Sequence, residues 1–333
     1  MKKAGLTLGK FAPFHRGHQL VVETALQEMD DLVVVIYDAK EVTPIPLSVR
    51  ASWIRKLYPQ VTLIKGVDGP ADAGYTPEVK AIQERYILGL LKGKRITHFY
   101  CSEPYGQHMS KALGAQNRVV DLDRERFPVS GTAIRQDPFK HRAFIHPIVY
   151  KDLITNVVFL GAPSTGKTTV AEACAKHFST TWMPEYGREY WEKNHVDRRL
   201  TVEQLVELAE GHLERENAKL LEANQFLFTD TNAITTYIFS HYYHQRALKN
   251  LADLARLAEK RYDLVFLCDT DIPYDDTWDR SGDTNRMEFQ QQIMIDLETR
   301  NIPFKLLSGT LYDRVKTVES VLQTFKKRYS DHE

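Results

Sequence analysis

Short apolar runs alternate along the chain with longer stretches in which apolar positions recur every three or four residues. In the first half the runs fall at residues 4–8, 32–37, 61–64, 97–101 and 118–122, with helical periodicity over 17–29, 48–58, 77–91 and 106–113. The second half repeats the theme, with runs at 154–160, 226–229, 264–268 and 304–307 and helical stretches over 201–223, 248–260, 283–300 and 312–328. Strands that alternate with helices build a parallel sheet covered on both faces, so an α/β class is predicted for both halves. The runs at 4–8 and 154–160 each lead into a glycine, Gly9 and Gly161, and then into a helical pattern, which is how parallel α/β domains open. Its recurrence predicts two domains, 1–150 and 151–333, joined near 150–153. The loop motifs of the halves differ, so they are not internal repeats.

Length and composition agree with that division. A chain of 333 residues is long for one domain and ordinary for two. It is 43% hydrophobic and 26% charged, as globular proteins are, and its 44 basic residues match its 44 acidic ones. The resulting net charge of zero argues against nucleic acid as the main partner, because such binders carry a basic excess. Cys101, Cys174 and Cys268 fit no metal or redox spacing, and an odd set suits buried thiols better than a disulfide framework. The N-terminal apolar run is broken by Gly9 and Lys10 too early for a signal peptide. No stretch approaches the roughly 18 apolar residues of a membrane span. A cytoplasmic location without a membrane partner is expected, and a homo-oligomer stays open.

The first loop reads Gly9-Lys10-Phe11-Ala12-Pro13-Phe14-His15-Arg16-Gly17-His18. Glycines allow close backbone approach to a ligand, and Gly17 opens a helix whose free N–H groups attract anions. His15 and His18, three apart at a helix start, present from one side and can donate to phosphate oxygens. Structural histidines or half of a metal pair are the alternatives, although no nearby carboxylate or cysteine completes a metal set. The loop resembles the signature Gly-x-Phe-x-Pro-x-His-x-Gly-His of the nucleotidylyltransferase superfamily at every specified position. That resemblance implies a Rossmann-like fold in which both histidines hold ATP phosphates during attack on the α-phosphorus, with Gly9, Lys10, Phe11 and Gly17 in the ATP site. The superfamily's second motif is matched by Ser130-Gly131-Thr132-Ala133-Ile134-Arg135, where Ser130 caps a helix and Thr132 with Arg135 grips phosphates.

The second loop, Gly161-Ala162-Pro163-Ser164-Thr165-Gly166-Lys167-Thr168, satisfies the P-loop pattern between a strand and a helix. Its N–H groups, with Ser164, Thr165, Gly166 and Thr169, would cradle ATP phosphates, Lys167 would reach the β- and γ-phosphates, and Thr168 would ligate Mg²⁺. Asp230 ends an apolar strand, where a metal-side carboxylate of a kinase sits. Glu185 and Arg188 open a helical segment suited to holding an acceptor hydroxyl. The charged loop around Asp275, Asp276 and Arg280 is of the kind that closes over phosphates, with Arg280 stabilising the transferring charge. Taken singly, each of these reads more readily as a solvated loop or cap, and their order along the chain shifts the balance towards a kinase.

A nucleotidylyltransferase followed by a P-loop kinase resembles the NadR family. The resemblance includes Ser102-Glu103-Pro104-Tyr105-Gly106, Pro184-Glu185-Tyr186-Gly187-Arg188, Asp230-Thr231-Asn232 and Asp271-Ile272-Pro273-Tyr274. It implies two reactions in series. The second domain would phosphorylate nicotinamide riboside with ATP, Asp230 serving as base or orienting group and Glu185, Arg188 and Tyr274 holding the riboside. The first would adenylylate nicotinamide mononucleotide to give NAD and pyrophosphate, with Tyr105 near the mononucleotide. Some relatives begin with a helix-turn-helix domain, whereas this chain opens on the first strand, so DNA repression by it alone is not expected. Tyr274 stands where a tryptophan is usual, and Asn232 where an acid is. Arg50 and Trp53, three apart on one helix, are candidates to clamp the mononucleotide, against the alternative of a buried tryptophan on an amphipathic helix. His241 and His244 read as a helix surface. Other acceptors for the same chemistries, or a sensor with one inactive site, are the competing readings.

Overall fold

The computed structural model describes residues 2–70, 76–195, 199–274, 283–327 and 329. The chain divides into two compact units, one up to Tyr150 and one from Lys151 to Arg328. Each is built on a five-stranded sheet in which every paired strand is parallel.

In the first unit the strands are β1 (Ala4–Gly9), β2 (Asp31–Tyr37), β3 (Thr62–Gly66), β4 (His98–Cys101) and β5 (Gln116–Val119), in spatial order β3-β2-β1-β4-β5. β1 is central, and Gly9 stands opposite Ile36 of β2. Leu6, Leu8, Val33, Val35 and Phe99 pack on one face with Ile87 and Leu91 of the helix Pro77–Leu91. Strand order in the sheet reverses between β1 and β4, so the crevice beyond the carboxyl ends of these strands is the expected ligand position.

The second unit has β6 (Thr155–Leu160), β7 (Trp182–Met183), β8 (Phe226–Asp230), β9 (Leu264–Cys268) and β10 (Lys305–Leu307), in order β10-β9-β6-β8-β7. Successive residues of β6 feed opposite cores. Val157 and Phe159 meet the helices Lys167–His177 and Leu311–Thr324, whereas Val158 and Leu160 meet Ala233–His244 and Asp283–Thr299. Burial on both faces explains why these strands read as unbroken apolar runs.

Three elements differ from the sequence reading. The helix Ala233–His244 fills a stretch rich in β-branched and aromatic residues, which local propensity does not favour as helix. The strand expected at 118–122 lies at Gln116–Val119 instead. The last helix stops at Thr324, short of 328, because Lys327 turns back to the Ile154 carbonyl and to Asp263 at 3.0 Å.

A buried carboxylate ties the second unit together behind its sheet. Glu216, fully buried on the helix Val202–Glu222, accepts from Asn156 Nδ2, Arg261 Nε and Tyr262 OH, each at 2.8 Å. Removing one member of such a set strands the others' donors. We expect Glu216→Ala to destabilise the protein by about 3 kcal/mol, read by denaturant unfolding against the parent chain.

Candidate functional site

β1 ends at Gly9 and the chain turns through 10–15 before the helix Arg16–Glu28. His15 is the N-cap of that helix. Its Nδ1 accepts from the Gly17 amide at 3.2 Å, while His18 Nδ1 accepts from the His15 amide at 3.3 Å. This is a capping box with two imidazoles in place of the usual hydroxyl and carboxylate. The reciprocal bonds stack the rings with centroids 3.7 Å apart. Phe11 and Phe14 flank His18 at 5.0 and 5.8 Å. Burial first, and the Arg124 guanidinium second, push His15 down to about 4. Burial drives His18 well below its ordinary value, with the charges of His15 and Arg124 adding to it. Both rings are therefore neutral near pH 7. Since each Nδ1 is occupied as an acceptor, the hydrogen-bond pattern assigns both ring protons to Nε2.

These rings line a cavity of about 360 Å³, shared with Gly9, Lys10, Phe11, Gly17, Tyr105 and Ser130. Tyr105 donates to the Leu8 carbonyl at 3.1 Å, and Lys10 pairs with Glu41 at 2.6 Å. Ser130 caps the helix Gly131–Gln136 by accepting from the Ala133 amide at 3.1 Å. Thr132 and Arg135 are not on the cavity wall. Arg135 donates to the Ala12 carbonyl at 2.7 Å and to Thr132 Oγ1 at 3.0 Å, so the second motif braces the first.

Arg50 and Trp53 do not form the expected clamp. Both are wholly buried and neither reaches the cavity. Arg50 donates to the carbonyls of Lys10, Tyr37 and Ile45 and lies 3.5 Å from Asp38. Its contacts to Lys10 and Tyr37 at the ends of β1 and β2, with that to Ile45 before its own helix, hold it in the protein, and Trp53 packs as core. The cavity has a charged residue that the sequence reading missed, Arg124, paired at 2.9 Å with Glu103 of the quoted motif 102–106. No local pattern marks Arg124, because it comes from a separate loop.

In the second unit β6 runs into Gly161, with φ 147°, and Gly166, with φ 78°, caps the helix Lys167–His177. A Cβ on Gly161 would stand 2.8 Å from the Cys268 carbonyl, so only glycine fits there. Ser164 holds φ 64° without being glycine. Lys167 Nζ donates to the Ala162 carbonyl at 2.9 Å, and Thr165 Oγ1 to the same carbonyl at 2.8 Å. Thr169 is exposed on the first turn of the helix. Thr168 Oγ1 donates to Asp230 Oδ2 at 2.5 Å. Asp230 is fully buried, and its Oδ1 has no partner among the described residues. Burial raises the Asp230 pKa and the Glu185 charge raises it further, against the opposing pull of Lys167, the Thr168 hydroxyl and Arg188. Lys167, Thr168, Glu185 and Arg188 thus gather around one carboxylate. Asn232, where an acid was expected, is a helix cap, its Oδ1 accepting from the Ile234 amide at 3.0 Å. Tyr274 lies with its ring centre 5.7 Å from the Arg286 guanidinium. Arg280, with the rest of 275–282, lies outside the described residues.

Three further residues shape this loop. Gln290 Oε1 accepts from the Ala162 amide at 2.8 Å, Arg286 donates to the Ser164 carbonyl at 3.1 Å, and Arg314 donates to the Thr165 carbonyl at 2.6 Å. The one sequence signal for them is that Arg286 and Gln290 are polar on the helix face that carries Phe289 and Ile293. For Mg²⁺, the hydroxyl and carboxylate oxygens of Thr168 and Asp230 are the hard donors such an ion takes.

The histidines make a stability prediction. Their native pKa values lie below the unfolded value of about 6.5, so in mildly acidic solution the unfolded chain binds more protons and stability falls as pH drops towards 4. Unfolding free energy should decrease between pH 7.5 and pH 5, and His15→Gln should show a smaller decrease. Urea titrations followed by circular dichroism at both pH values measure this. An equal decrease in the variant would refute the neutral buried His15.

Comparison with known proteins follows the same division. A cytidylyltransferase-like family model matches residues 6–137, and an AAA domain model matches 156–314. The trifunctional NAD biosynthesis/regulator protein NadR of Escherichia coli is 27% identical over 337 residues, covering 94% of this chain and 80% of the relative. Its counterpart in Salmonella typhimurium is 26% identical with the same coverage. A solved NadR protein in complex with NAD and AMP-PNP superposes with a TM-score of 0.57 at 24% identity, over 99% of each chain. A NadR protein in complex with NR gives 0.57 at 25% identity, over 99% of this chain and 98% of that one. Two parallel α/β units in this order, each with its own nucleotide loop, are what this chain shares end to end with these NadR proteins.

Proposed function

We propose that the chain is a bifunctional transferase of NAD biosynthesis that uses ATP at both sites. The second unit phosphorylates nicotinamide riboside to the mononucleotide, and the first joins that product to an adenylyl group to make NAD and pyrophosphate. The NadR relatives support NAD biosynthesis, and the NadR complexes with NAD, AMP-PNP and NR support the substrate class. The observation that carries the reading is the pairing, within one chain, of a stacked neutral histidine couple with a P-loop whose threonine touches a buried aspartate.

In the first unit, the Nε2–H groups of His15 and His18 donate to ATP phosphate oxygens and stabilise the charge that builds as the mononucleotide phosphate attacks the α-phosphorus. Neutral rings do this without themselves losing a proton. Lys10 adds positive charge once phosphate competes with Glu41 for it. Gly9, Phe11, Gly17 and Ser130 shape the ATP side of the cavity, and Tyr105 the mononucleotide side. Thr132 and Arg135 act through the loop they brace, and Arg50 through the carbonyl of Lys10.

In the second unit, Lys167 leaves the Ala162 carbonyl for the β- and γ-phosphates, and loop amides from Ser164 to Thr169 take the rest. Mg²⁺, held by Thr168 and Asp230, would neutralise phosphate charge. Asp230, with its raised pKa, accepts or orients the proton of the riboside hydroxyl. Glu185 and Arg188 position that hydroxyl, Tyr274 stacks on the nicotinamide ring, and Arg280 stabilises the transferring group.

Purified protein given Mg-ATP and nicotinamide riboside should form the mononucleotide and then NAD, resolved by chromatography with mass detection. Lys167→Ala should lower riboside phosphorylation by at least about 100-fold while leaving adenylyl transfer to added mononucleotide largely intact. His18→Ala should do the reverse. Loss of both reactions from either substitution in a folded protein would sink the assignment of two independent sites.

A further inference from the structure

Arg286 and Arg314 are buried, 4% and 3% exposed. Arg286 Nη2 donates to the Ser164 carbonyl at 3.1 Å and to the Ile272 carbonyl at 3.0 Å, and its Nη1 donates to Ile272 at 3.1 Å. The same guanidinium lies 5.7 Å from the centre of the Tyr274 ring. Arg314 donates to the Thr165 carbonyl at 2.6 Å, to the Asp269 carbonyl at 3.3 Å and to Asp271 at 2.5 Å. Two consecutive P-loop carbonyls are thus cross-linked to residues 269–272, the stretch that leads into Tyr274. A planar guanidinium holds two carbonyls at once in a fixed direction, which an ammonium does not.

Lys167 Nζ donates to the Ala162 carbonyl at 2.9 Å, and a phosphate bound in the loop would compete with that carbonyl for it. Ser164, already in the left-handed region, is where a change of loop backbone has least freedom to dissipate. Any shift of its carbonyl pulls on Arg286, and through it on Ile272 and Tyr274.

We propose that Arg286 is a positioning residue that couples filling of the P-loop by ATP to binding of the acceptor nucleoside beside Tyr274, so that the two substrates bind cooperatively. The proposal rests on the reading of the second unit as a riboside kinase. Coupling of this kind is reciprocal: each ligand tightens the other by the same factor.

The test is calorimetric titration of nicotinamide riboside into the full chain, with and without saturating Mg-AMP-PNP. In the parent protein the ATP analogue should tighten riboside binding about fivefold or more, and the riboside should tighten the analogue equally. In Arg286→Lys and Arg286→Gln, each first shown to melt cooperatively, the ratio should fall below about twofold, whatever happens to either affinity alone. A merely structural arginine would lower the melting temperature and leave the ratio unchanged. Equal ratios in parent and variants would overturn the proposal, as would independent binding of the two ligands by the parent, which decides the matter however the variants fold. No riboside binding by the parent would overturn the kinase reading itself, and the coupling with it.

Discussion

A loop that turns its N–H groups outward to receive phosphate leaves its carbonyls facing the protein, and buried carbonyls need donors. In the second unit that requirement is met side chain by side chain. Ala162 gives its amide to Gln290, and its carbonyl takes Lys167 and the Thr165 hydroxyl. The carbonyls of Ser164 and Thr165 take Arg286 and Arg314. The shape that would cradle phosphate is therefore held by residues from two helices remote in sequence, Asp283–Thr299 and Leu311–Thr324. Preorganisation of this kind lets binding energy go into the ligand instead of into ordering the loop.

The first unit solves the same problem by the same means. Arg50 donates to the carbonyl of Lys10, Arg135 to that of Ala12, and Tyr105 to that of Leu8. Arginine suits the task because it stays charged when buried and spreads its donors in a fixed plane. The consequence for the chemistry is rigidity where it matters. His15 and His18 are held in their stack and their tautomers by the reciprocal bonds to the His15 and Gly17 amides.

Burial then does opposite things to the two sites. It removes the charge from His15 and His18, which suits groups that donate hydrogen bonds to phosphate. It raises the pKa of Asp230, as the proposed role of accepting a proton near neutrality would require. One physical cause, exclusion of water at the carboxyl ends of the central strands, thereby keeps an imidazole pair neutral in one unit and raises the pKa of a carboxyl group in the other.

Much of this was legible in the chain itself. The alternation of apolar runs and helical periods determined two parallel α/β units, because strands buried on both faces must be apolar throughout. The loops after β1 and β6 were legible because their function needs particular residues at adjacent positions, His15 with His18, or Gly166 with Lys167 and Thr168. Ser130 as a cap was readable for the same reason. What the tertiary structure alone decided is where the long side chains go. Arg50 looked like a ligand clamp and is a buttress, while Trp53 is core. The helix Ala233–His244 forms against local propensity because packing of Ile234 and Ile238 outweighs it. Arg286 and Arg314 stand 122 and 149 residues from the carbonyls they hold. A backbone carbonyl has no residue identity, so nothing in the amino-acid order can announce which arginine will find it.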